Sequence, residues 1–480
     1  MSKSEVYNEF IINLFNDSLN IQVRDRTRFH ALRYIEEEKE VYMEDMMDKI
    51  SKYTGVTKLS SSDVLTPHDI VSDMVDLLPE DIFKPGITFF DPAVKSGRFL
   101  IELFKRLMNS EYMVEEFPDN DNRKEYILNN QLYGLSTSEL TANIVRKALY
   151  NEVLEEGNII YVNQYSNICK SKSLKQVTKE GYGRDMKFNV IIGNPPYNND
   201  IYLDFVTQSF YLSKDYTVMI TPAKWQVKGG AKNIAFRQEI VPHMSKIVFY
   251  PDCLDVFAIL DVSGICYYKM DKNRYNKCDV INKCVAKPSL NSSVCRSVVN
   301  RPLLNLGYQI VDKIHAKGNF RGLEFKFNSR DAYHIDISKY VIFGGGGYAT
   351  KERDSEGHWH VKQEAVGNQS MLFSVKEKNI TVMGDSVILQ RSRQEYGYDI
   401  TLFSSNSIDE CKSFKSYIGT KLVKFLIFIN AYTRQCVGKQ LTWAYVPDPG
   451  QLDHIFTDKE LYEKYSLTLK EVDMIESLIK

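Results

Sequence analysis

The stretch "VIIGNPPYNND", residues 190–200, decides which fold the sequence predicts. Its apolar run ends in Pro195 and Pro196, which donate no backbone N–H and restrict φ, so a sheet ladder cannot continue through them. The chain must therefore leave the sheet in a rigid, extended turn. Open α/β sheets bind ligands at the carboxyl ends of their strands, which is where this turn places Asn194 and Tyr197. An ordinary strand-ending turn explains the two prolines but not the amide and the aromatic ring beside them.

Short apolar runs alternate with helical stretches over the first half of the chain. The runs that read as buried strands are "ITFFDP" (87–92), "QLYGLS" (131–136), "NIIYVN" (158–163), "FNVIIGNPP" (188–196), "YTVMITP" (216–222) and "KIVFYP" (246–251). Helical stretches at 97–109, 138–154 and 201–213 lie between them. This alternation predicts a parallel sheet with helices on both faces. A further run at 263–270 follows closely enough to pair antiparallel.

The composition places the chain among multidomain globular proteins. A length of 480 residues predicts two to four domains, and 43% hydrophobic and 26% charged residues are ordinary values. No apolar stretch approaches the length of a membrane span, and the first residues do not read as a signal peptide. The eight cysteines mostly lie in apolar runs and form no CxxC pair. We therefore expect reduced thiols in an intracellular protein, and no metal site.

The distribution of charge is more informative than its total. The net charge is −1, yet thirteen Lys/Arg stand against five Asp/Glu between Tyr267 and Tyr333. Binding of a polyanion needs a local basic surface rather than a basic protein. An ordinary solvated face is the alternative interpretation of this cluster.

A second turn precedes the one after residue 190. In "FFDPAVKSGRFL", residues 89–100, a strand is predicted to end at Asp91, and a turn containing Gly97 leads into a helix. In the first βα turn of a doubly wound sheet, backbone N–H groups and a helix N-terminus face the ligand. The turn lacks both G-x-G-x-x-G and the P-loop lysine pattern. Upstream, "LTPHDIVSDMVDLL" predicts a helix with Thr66 as N-cap and Pro67 at its first position.

Three segments in this order resemble a known family. They are "TPHDIV" (66–71), "DPAVKSGRFL" (91–100) and "NPPY" (194–197). Their order and spacing resemble those of the amino-methyltransferases of DNA that modify adenine N6, in the gamma class, whose cofactor motifs precede the recognition region. The resemblance covers roughly residues 60 to 270.

The resemblance implies an α/β fold with a Rossmann-like, seven-stranded class I methyltransferase sheet. It also implies a helical N-terminal segment, an α+β target-recognition domain and a helical C-terminal tail. The corresponding boundaries are 1–60, 61–270 for the catalytic domain, 271–405 for DNA recognition and 406–480.

The resemblance implies S-adenosyl-L-methionine as cofactor. The residues expected to bind it are Thr66, Asp91, Pro92, Ala93, Gly97, Ser136, Asn163 and Asn194. Three positions depart from the family pattern. Lys95 replaces a glycine, Ser136 replaces the acidic residue that holds the ribose, and Asn163 replaces an aspartate near the adenine amino group. A serine hydroxyl can hydrogen-bond a ribose but accepts more weakly than a carboxylate, and these departures do not change the class of enzyme that the resemblance implies.

The residues expected to carry catalysis are Asn194, Pro195, Pro196, Tyr197 and Phe257. By the resemblance, the Asn194 side-chain carbonyl and the Pro195 backbone carbonyl accept the two N6–H bonds of a flipped adenine. Tyr197 and Phe257 stack on the two faces of that base. Trp225 and Tyr267 are expected in the core.

The implied function is site-specific methylation of adenine N6 in double-stranded DNA, as the modification part of a restriction-modification or phage-defence system. Arg391 and Arg393 are candidates for DNA contacts, and a separate restriction endonuclease or specificity subunit is the expected protein partner. A cytoplasmic location in a bacterial or phage-encoded protein follows, without membrane or metal. The alternatives are an RNA or protein-glutamine methyltransferase, or a DNA-binding homologue without catalytic activity.

Overall fold

We describe a computed structural model of the chain. It covers residues 65–136, 138–150, 157–162, 168, 171–197, 200–226, 228–257, 264–285, 288, 291–299, 301–317, 323, 340–344, 348–353, 359–364, 373–376, 400–405, 407–429 and 445–479. The predicted helical segment 1–60, Asn163, Arg391 and Arg393 lie outside the described residues. Among the described helices, none has both the length and the apolar character needed to cross a membrane.

The chain divides into two compact units. The first is the chain up to Thr221 together with Tyr267–Asn273, and the second is Pro222–Cys266 together with the chain from Arg274 onward. The predicted domain boundaries, including the one at residue 270, remain predictions.

The first unit alternates helices and strands. Its helices are α1 (His68–Val75), α2 (Arg98–Asn109), α3 (Glu111–Glu116), α4 (Asn120–Asn130), α5 (Glu139–Tyr150), α6 (Leu174–Tyr182) and α7 (Ile201–Leu212). Its strands are β1 (Phe89–Val94), β2 (Leu132–Ser136), β3 (Ile159–Tyr161), β4 (Phe188–Gly193), β5 (Ser213–Pro222) and β7 (Ile265–Asp271). The strands predicted in this part of the sequence are thus confirmed, with shifts of a few residues at their ends.

The central strands of this unit are parallel and buried. β1 pairs in parallel with β2 on one side and with β4 on the other, and β4 pairs in parallel with β5. Every residue of β1 and β2 is buried, as expected for strands covered on both faces. Because β1 and β4 run side by side in the same direction, their carboxyl ends meet at one edge of the sheet.

Two local predictions were wrong. β1 continues past Asp91 to Val94, and its register against β2 shifts between those two residues. α1 begins at His68 with Pro67 as its N-cap, and no side chain caps it. The residue before a proline is restricted to extended backbone, and Pro67 is itself extended at ψ 151°, so Thr66 lies outside the helix.

The second unit contains the remaining elements. Its helices are α8 (Ala231–Glu239), α9 (Asn305–Ala316), α10 (Ile408–Gly419), α11 (Lys421–Ile429), α12 (Asp458–Lys464) and α13 (Leu469–Leu478). Its strands are β6 (Met244–Tyr250), β8 (Cys278–Asn282), β9 (Ser292–Arg296), β10 (Tyr340–Gly344), β11 (Tyr348–Arg353), β12 (Trp359–Glu364), β13 (Phe373–Lys376) and β14 (Ile400–Ser405). Helices α10 to α13 confirm the helical character predicted for the tail.

The main sheet has nine strands rather than the predicted seven. Its order is β3-β2-β1-β4-β5-β7-β6-β8-β9. β8 pairs in parallel with β6, and β9 pairs antiparallel with β8. Strands β10 to β14 form two small separate sheets within the region predicted to recognise DNA.

The two extra strands escaped prediction because their sequences, "CDVIN" and "SSVCR", are short and polar. Each alternates more and less buried residues, so only one face packs inward.

A buried arginine stabilises this polar region. Arg296 donates from Nη2 to the carbonyl oxygens of Pro302 (2.8 Å) and Leu303 (3.0 Å), and from Nε to Asn305 Oδ1 (2.9 Å). A buried cation whose donors are satisfied in this way is compatible with a folded interior.

Candidate active site

A cavity lies at the carboxyl ends of β1 and β4, where the two quoted turns meet. The space between its lining residues, including the part that is open to solvent, is about 270 Å³. It is lined by Leu65, Thr66, Asp91, Ala93, Lys95, Ser96, Gly97, Arg98, Phe99 and Asn194. The fold therefore brings together five residues that the sequence predicted for the site, namely Thr66, Asp91, Ala93, Gly97 and Asn194.

The turn after β1 depends on Gly97. Its φ is +85°, a conformation that favours glycine, and it is the N-cap of α2. A Cβ at this position would lie 2.9 Å from Cγ2 of Val145, so both the backbone conformation and the close packing require glycine. Lys95, where the family pattern has a glycine, is not among the described residues with positive φ. A lysine is therefore compatible with the backbone of this turn.

Asp91 is the acidic group of the cavity. It is 2% exposed, and its Oδ1 accepts a hydrogen bond from the backbone N–H of Ala93 at 2.9 Å. Burial raises the pKa of Asp91 to about 7, against the lowering effects of the Ala93 hydrogen bond and of the Lys95 charge. A Cβ on Gly193 would lie 2.7 Å from Asp91 Oδ1. The residue of β4 beside this carboxylate therefore has to be a glycine.

Asn194 is buried at the end of β4 and is held by the segment that enters α1. The residue is 3% exposed, and its Nδ2 donates to Oγ1 of Thr66 at 3.1 Å. Thr66 is 4% exposed, and its backbone carbonyl accepts a hydrogen bond from Nη1 of Arg98 at 2.7 Å. The predicted helix-capping hydroxyl of Thr66 thus contacts Asn194 instead.

Arg98 is a site residue that the sequence analysis missed. It is the first residue of α2, where a positive side chain is unfavourable beside the positive end of the helix dipole. A cation at such a position was a signal that the residue serves another contact.

The rest of the NPPY turn is held against the sheet. Pro195 is buried, whereas Pro196 and Tyr197 are half-buried. The Tyr197 hydroxyl donates to the carbonyl oxygen of Ile220 at 3.4 Å, and its ring packs edge-to-face with Tyr202 at a centroid distance of 6.3 Å. The orientation of this ring is therefore set at both its polar and its apolar parts.

Ser136 lies at the end of β2 with no exposed surface. Its Oγ is 2.5 Å from Oγ1 of Thr141 and donates to the carbonyl oxygen of Val94 at 3.4 Å. In this structure the hydroxyl serves contacts within the protein, and the predicted ribose contact remains a prediction.

Phe257 belongs to the second unit. It is 5% exposed, and its N–H donates to the carbonyl oxygen of Cys253 at 2.8 Å. Its role in stacking on a base remains a prediction. Trp225 and Tyr267 are 0% and 1% exposed, which confirms the predicted core positions.

The segment that contains this cavity matches a known family. Residues 42–247 match the family model of the N-6 DNA methylases. This segment, which is less than half of the chain, is thus similar to the N-6 DNA methylases. The methylase match includes all the residues that line the cavity, and it confirms the resemblance predicted from the three sequence segments.

A curated relative aligns with more of the chain than the family model does. An uncharacterized adenine-specific methylase from Mycoplasma pneumoniae is 24% identical over an alignment of 374 residues, and the alignment covers 62% of this chain and 85% of the relative.

Two solved structures are similar to parts of the chain. The M protein of the type I restriction enzyme EcoKI has 15% identity and a TM-score of 0.36, over 55% of this chain and 60% of that one. The methyltransferase subunit of a type I restriction-modification system from Streptococcus thermophilus has 15% identity and a TM-score of 0.35, over 55% of this chain and 57% of that one. The chain thus spans less than two thirds of the length of either subunit.

Proposed function

We propose that the chain is an enzyme that transfers a methyl group from S-adenosyl-L-methionine to N6 of adenine in double-stranded DNA. The observation that carries this proposal is the cavity, within residues 42–247, at which Asn194 of NPPY and Asp91 of the DPA turn meet. Asn194 supplies a carbonyl oxygen that can accept a hydrogen bond from the acceptor amine. Asp91 supplies a carboxylate that can attract a cationic cofactor.

The residues of the cavity fit this cofactor. S-adenosyl-L-methionine supplies a methyl group on a positively charged sulfonium, a good leaving group that needs no metal. The carboxylate of Asp91 matches its positive charge, and the glycine at 97 keeps the helix N-terminus open, where first-turn N–H groups lack partners within the helix. We propose Thr66, Asp91, Pro92, Ala93, Gly97 and Asn194 as the residues around it, with Ser136 and Asn163 as further candidates.

The NPPY turn would prepare the acceptor amine. The nitrogen lone pair of an adenine amino group is delocalised into the ring, so N6 is a poor nucleophile. Hydrogen bonds from N6–H to Asn194 Oδ1 and to the Pro195 carbonyl draw this lone pair out of conjugation and aim it at the methyl group. Two prolines hold both carbonyls in place, so little conformational entropy is lost when the base binds. The released proton goes to water, and no dedicated base is needed.

A base within a duplex cannot reach a buried turn, so the adenine must leave the helix. We propose Tyr197 and Phe257 as the aromatic residues that stack on the flipped base. Residues 271–405, with Arg391 and Arg393, are proposed to contact DNA. As a modification enzyme the chain would act beside a separate restriction endonuclease or specificity subunit.

The proposed function is tested by identifying the molecule that accepts the methyl group. The full chain is incubated with labelled S-adenosyl-L-methionine and, separately, unmethylated genomic DNA, total RNA and protein extract. Label in DNA that digestion and mass spectrometry identify as N6-methyladenine is the expected result. Label only in RNA or in glutamine side chains would refute a DNA substrate, and cofactor binding without transfer to any acceptor would refute the proposal that this chain alone is sufficient.

Cofactor affinity should depend on pH through Asp91. In the free protein the pKa of Asp91 is raised to about 7. Protonation of Asp91 therefore adds to the free energy of unfolding. This contribution is fully present at a pH below the ordinary pKa of 3.8, and it is lost as the pH rises through 7. A cationic ligand favours the carboxylate, so its binding releases this proton. Affinity should rise by about tenfold between pH 6 and pH 8, the range in which the acid ionises.

Isothermal titration calorimetry at both pH values, in buffers with different ionisation enthalpies, measures the affinity and the released proton together. The same series with Asp91→Asn separates the contribution of Asp91 from the cofactor's own titration. Equal pH dependence in the wild type and in Asp91→Asn would show that Asp91 does not contact the charge.

A further inference from the structure

We propose that Thr66 and Arg98 are positioning residues that orient the side-chain amide of Asn194, so that its carbonyl oxygen faces the acceptor amine. The inference rests on the proposed function and goes beyond the cofactor contact implied for Thr66. Arg98 is assigned a role for the first time.

The three residues form a relay of hydrogen bonds. Arg98 Nη1 donates to the Thr66 carbonyl at 2.7 Å, and Asn194 Nδ2 donates to Thr66 Oγ1 at 3.1 Å. Arg98 lies 32 residues from Thr66, and Asn194 lies 128 residues from it. The relay therefore joins the turn after β1, the entry to α1 and the end of β4. These are the three segments whose order in the sequence first indicated the family.

Local backbone chemistry supports this relay at both ends. Pro67 restricts Thr66 to extended backbone, which limits the directions in which its carbonyl can point. Gly97, with φ at +85°, places Arg98 at the first position of α2, within reach of that carbonyl. Thr66 and Asn194 are both more than nine-tenths buried, so water competes little for the bond between them.

The direction of the amide decides what it can do. A carboxamide is planar, and its donor and its acceptor lie in that plane on opposite sides of the Cβ–Cγ bond. With Nδ2 directed at Thr66, Oδ1 points to the other side of this bond. The opposite orientation would present an NH₂ group to the NH₂ group of adenine, where two donors cannot bond. The hydrogen bond that Nδ2 donates to Thr66 Oγ1 thus holds the amide in the orientation in which Oδ1 can accept a hydrogen bond.

The test separates turnover from cofactor binding. Thr66→Val keeps the branched shape but removes the hydroxyl. We expect kcat for DNA methylation to fall by about 10- to 100-fold, the range seen when a supporting partner of a functional side chain is removed. The dissociation constant of S-adenosyl-L-methionine should rise by a smaller factor than kcat falls, although Thr66 lies among the residues proposed around the cofactor. Thr66→Ser, which restores the hydroxyl, should recover most of the lost kcat, and Arg98→Met should lower kcat in the same direction.

The chain offers a matched control on the same strand. Thr88 and Asn189 form another threonine–asparagine hydrogen bond, with Thr88 Oγ1 donating to Asn189 Oδ1 at 3.1 Å, near the amino end of β4. Thr88→Val removes a bond of the same kind and should leave kcat within about twofold of wild type. A loss in Thr88→Val as large as that in Thr66→Val would mean that both act through general destabilisation.

Other outcomes overturn the inference. A larger dissociation constant of the cofactor with unchanged kcat in Thr66→Val would assign Thr66 to cofactor binding alone. Failure of Thr66→Ser to recover activity would exclude a role of the hydroxyl. If the wild-type chain methylates no DNA, the proposed function fails first. The contact is then judged by urea unfolding of Thr66→Val, Asn194→Ala and the double variant, where additive effects would show that the two side chains are not coupled.

Discussion

Asn194→Ala is expected to lower kcat for methyl transfer to DNA by about 10²- to 10³-fold, the loss typical of removing one preorganised group that stabilises a transition state. The alanine removes the side-chain carbonyl that accepts one N6–H, whereas the Pro195 carbonyl remains. Some transfer should therefore persist. Single-turnover measurements with saturating cofactor and hemimethylated or unmethylated DNA isolate the chemical step from cofactor binding and product release.

A second asparagine provides the control for this variant. Asn130 is exposed at the end of α4, where its Nδ2 donates to the Tyr126 carbonyl at 3.0 Å. Asn130→Ala should keep wild-type turnover. If Asn194→Ala retained more than about one third of the wild-type rate while folded to the same extent, the amide would have no part in activating the acceptor.

Gly97→Ala is expected to destabilise the protein by about 2–5 kcal/mol. A non-glycine residue in the left-handed region costs about 1–2 kcal/mol, and an extra methyl group forced into a packed contact costs about 1–3 kcal/mol. Both apply, because φ is +85° and the new Cβ would lie 2.9 Å from Val145 Cγ2. Urea unfolding followed by circular dichroism measures the change in the free energy of unfolding. Relief of the contact would displace the start of α2, so cofactor affinity should fall as well.

Gly183 separates the two causes. It also has a positive φ, +67°, at the C-cap of α6, but a Cβ there would meet no atom within 4 Å. Gly183→Ala should therefore cost only the conformational part, about 1 kcal/mol. Equal destabilisation by the two variants would show that contact with Val145 contributes nothing, and loss of cofactor binding in Gly183→Ala would contradict a role specific to the turn after β1.

Much of the fold could be predicted because its signals act between neighbours in the sequence. A buried parallel strand needs a continuous apolar run, and the two consecutive prolines after Asn194 prevent that run from continuing as a strand. Residues 190–200 alone were therefore enough to predict the strand that ends at Gly193 and the turn of Asn194-Pro195-Pro196-Tyr197. Strands β8 and β9 were not assigned to the main sheet, because a half-buried strand of five residues with polar side chains has no such run.

The sequence by itself determined which residue types stand at the carboxyl ends of β1 and β4, and therefore the family and the class of chemistry. Only the tertiary structure decided how those residues meet. Thr66 was predicted to cap its own helix, yet its hydroxyl contacts an amide 128 residues away. The elevated pKa of Asp91 likewise depends on burial by other segments. Turn and strand signals act over a few residues, whereas hydrogen-bond partners and desolvation depend on sheet register, which brings distant segments together.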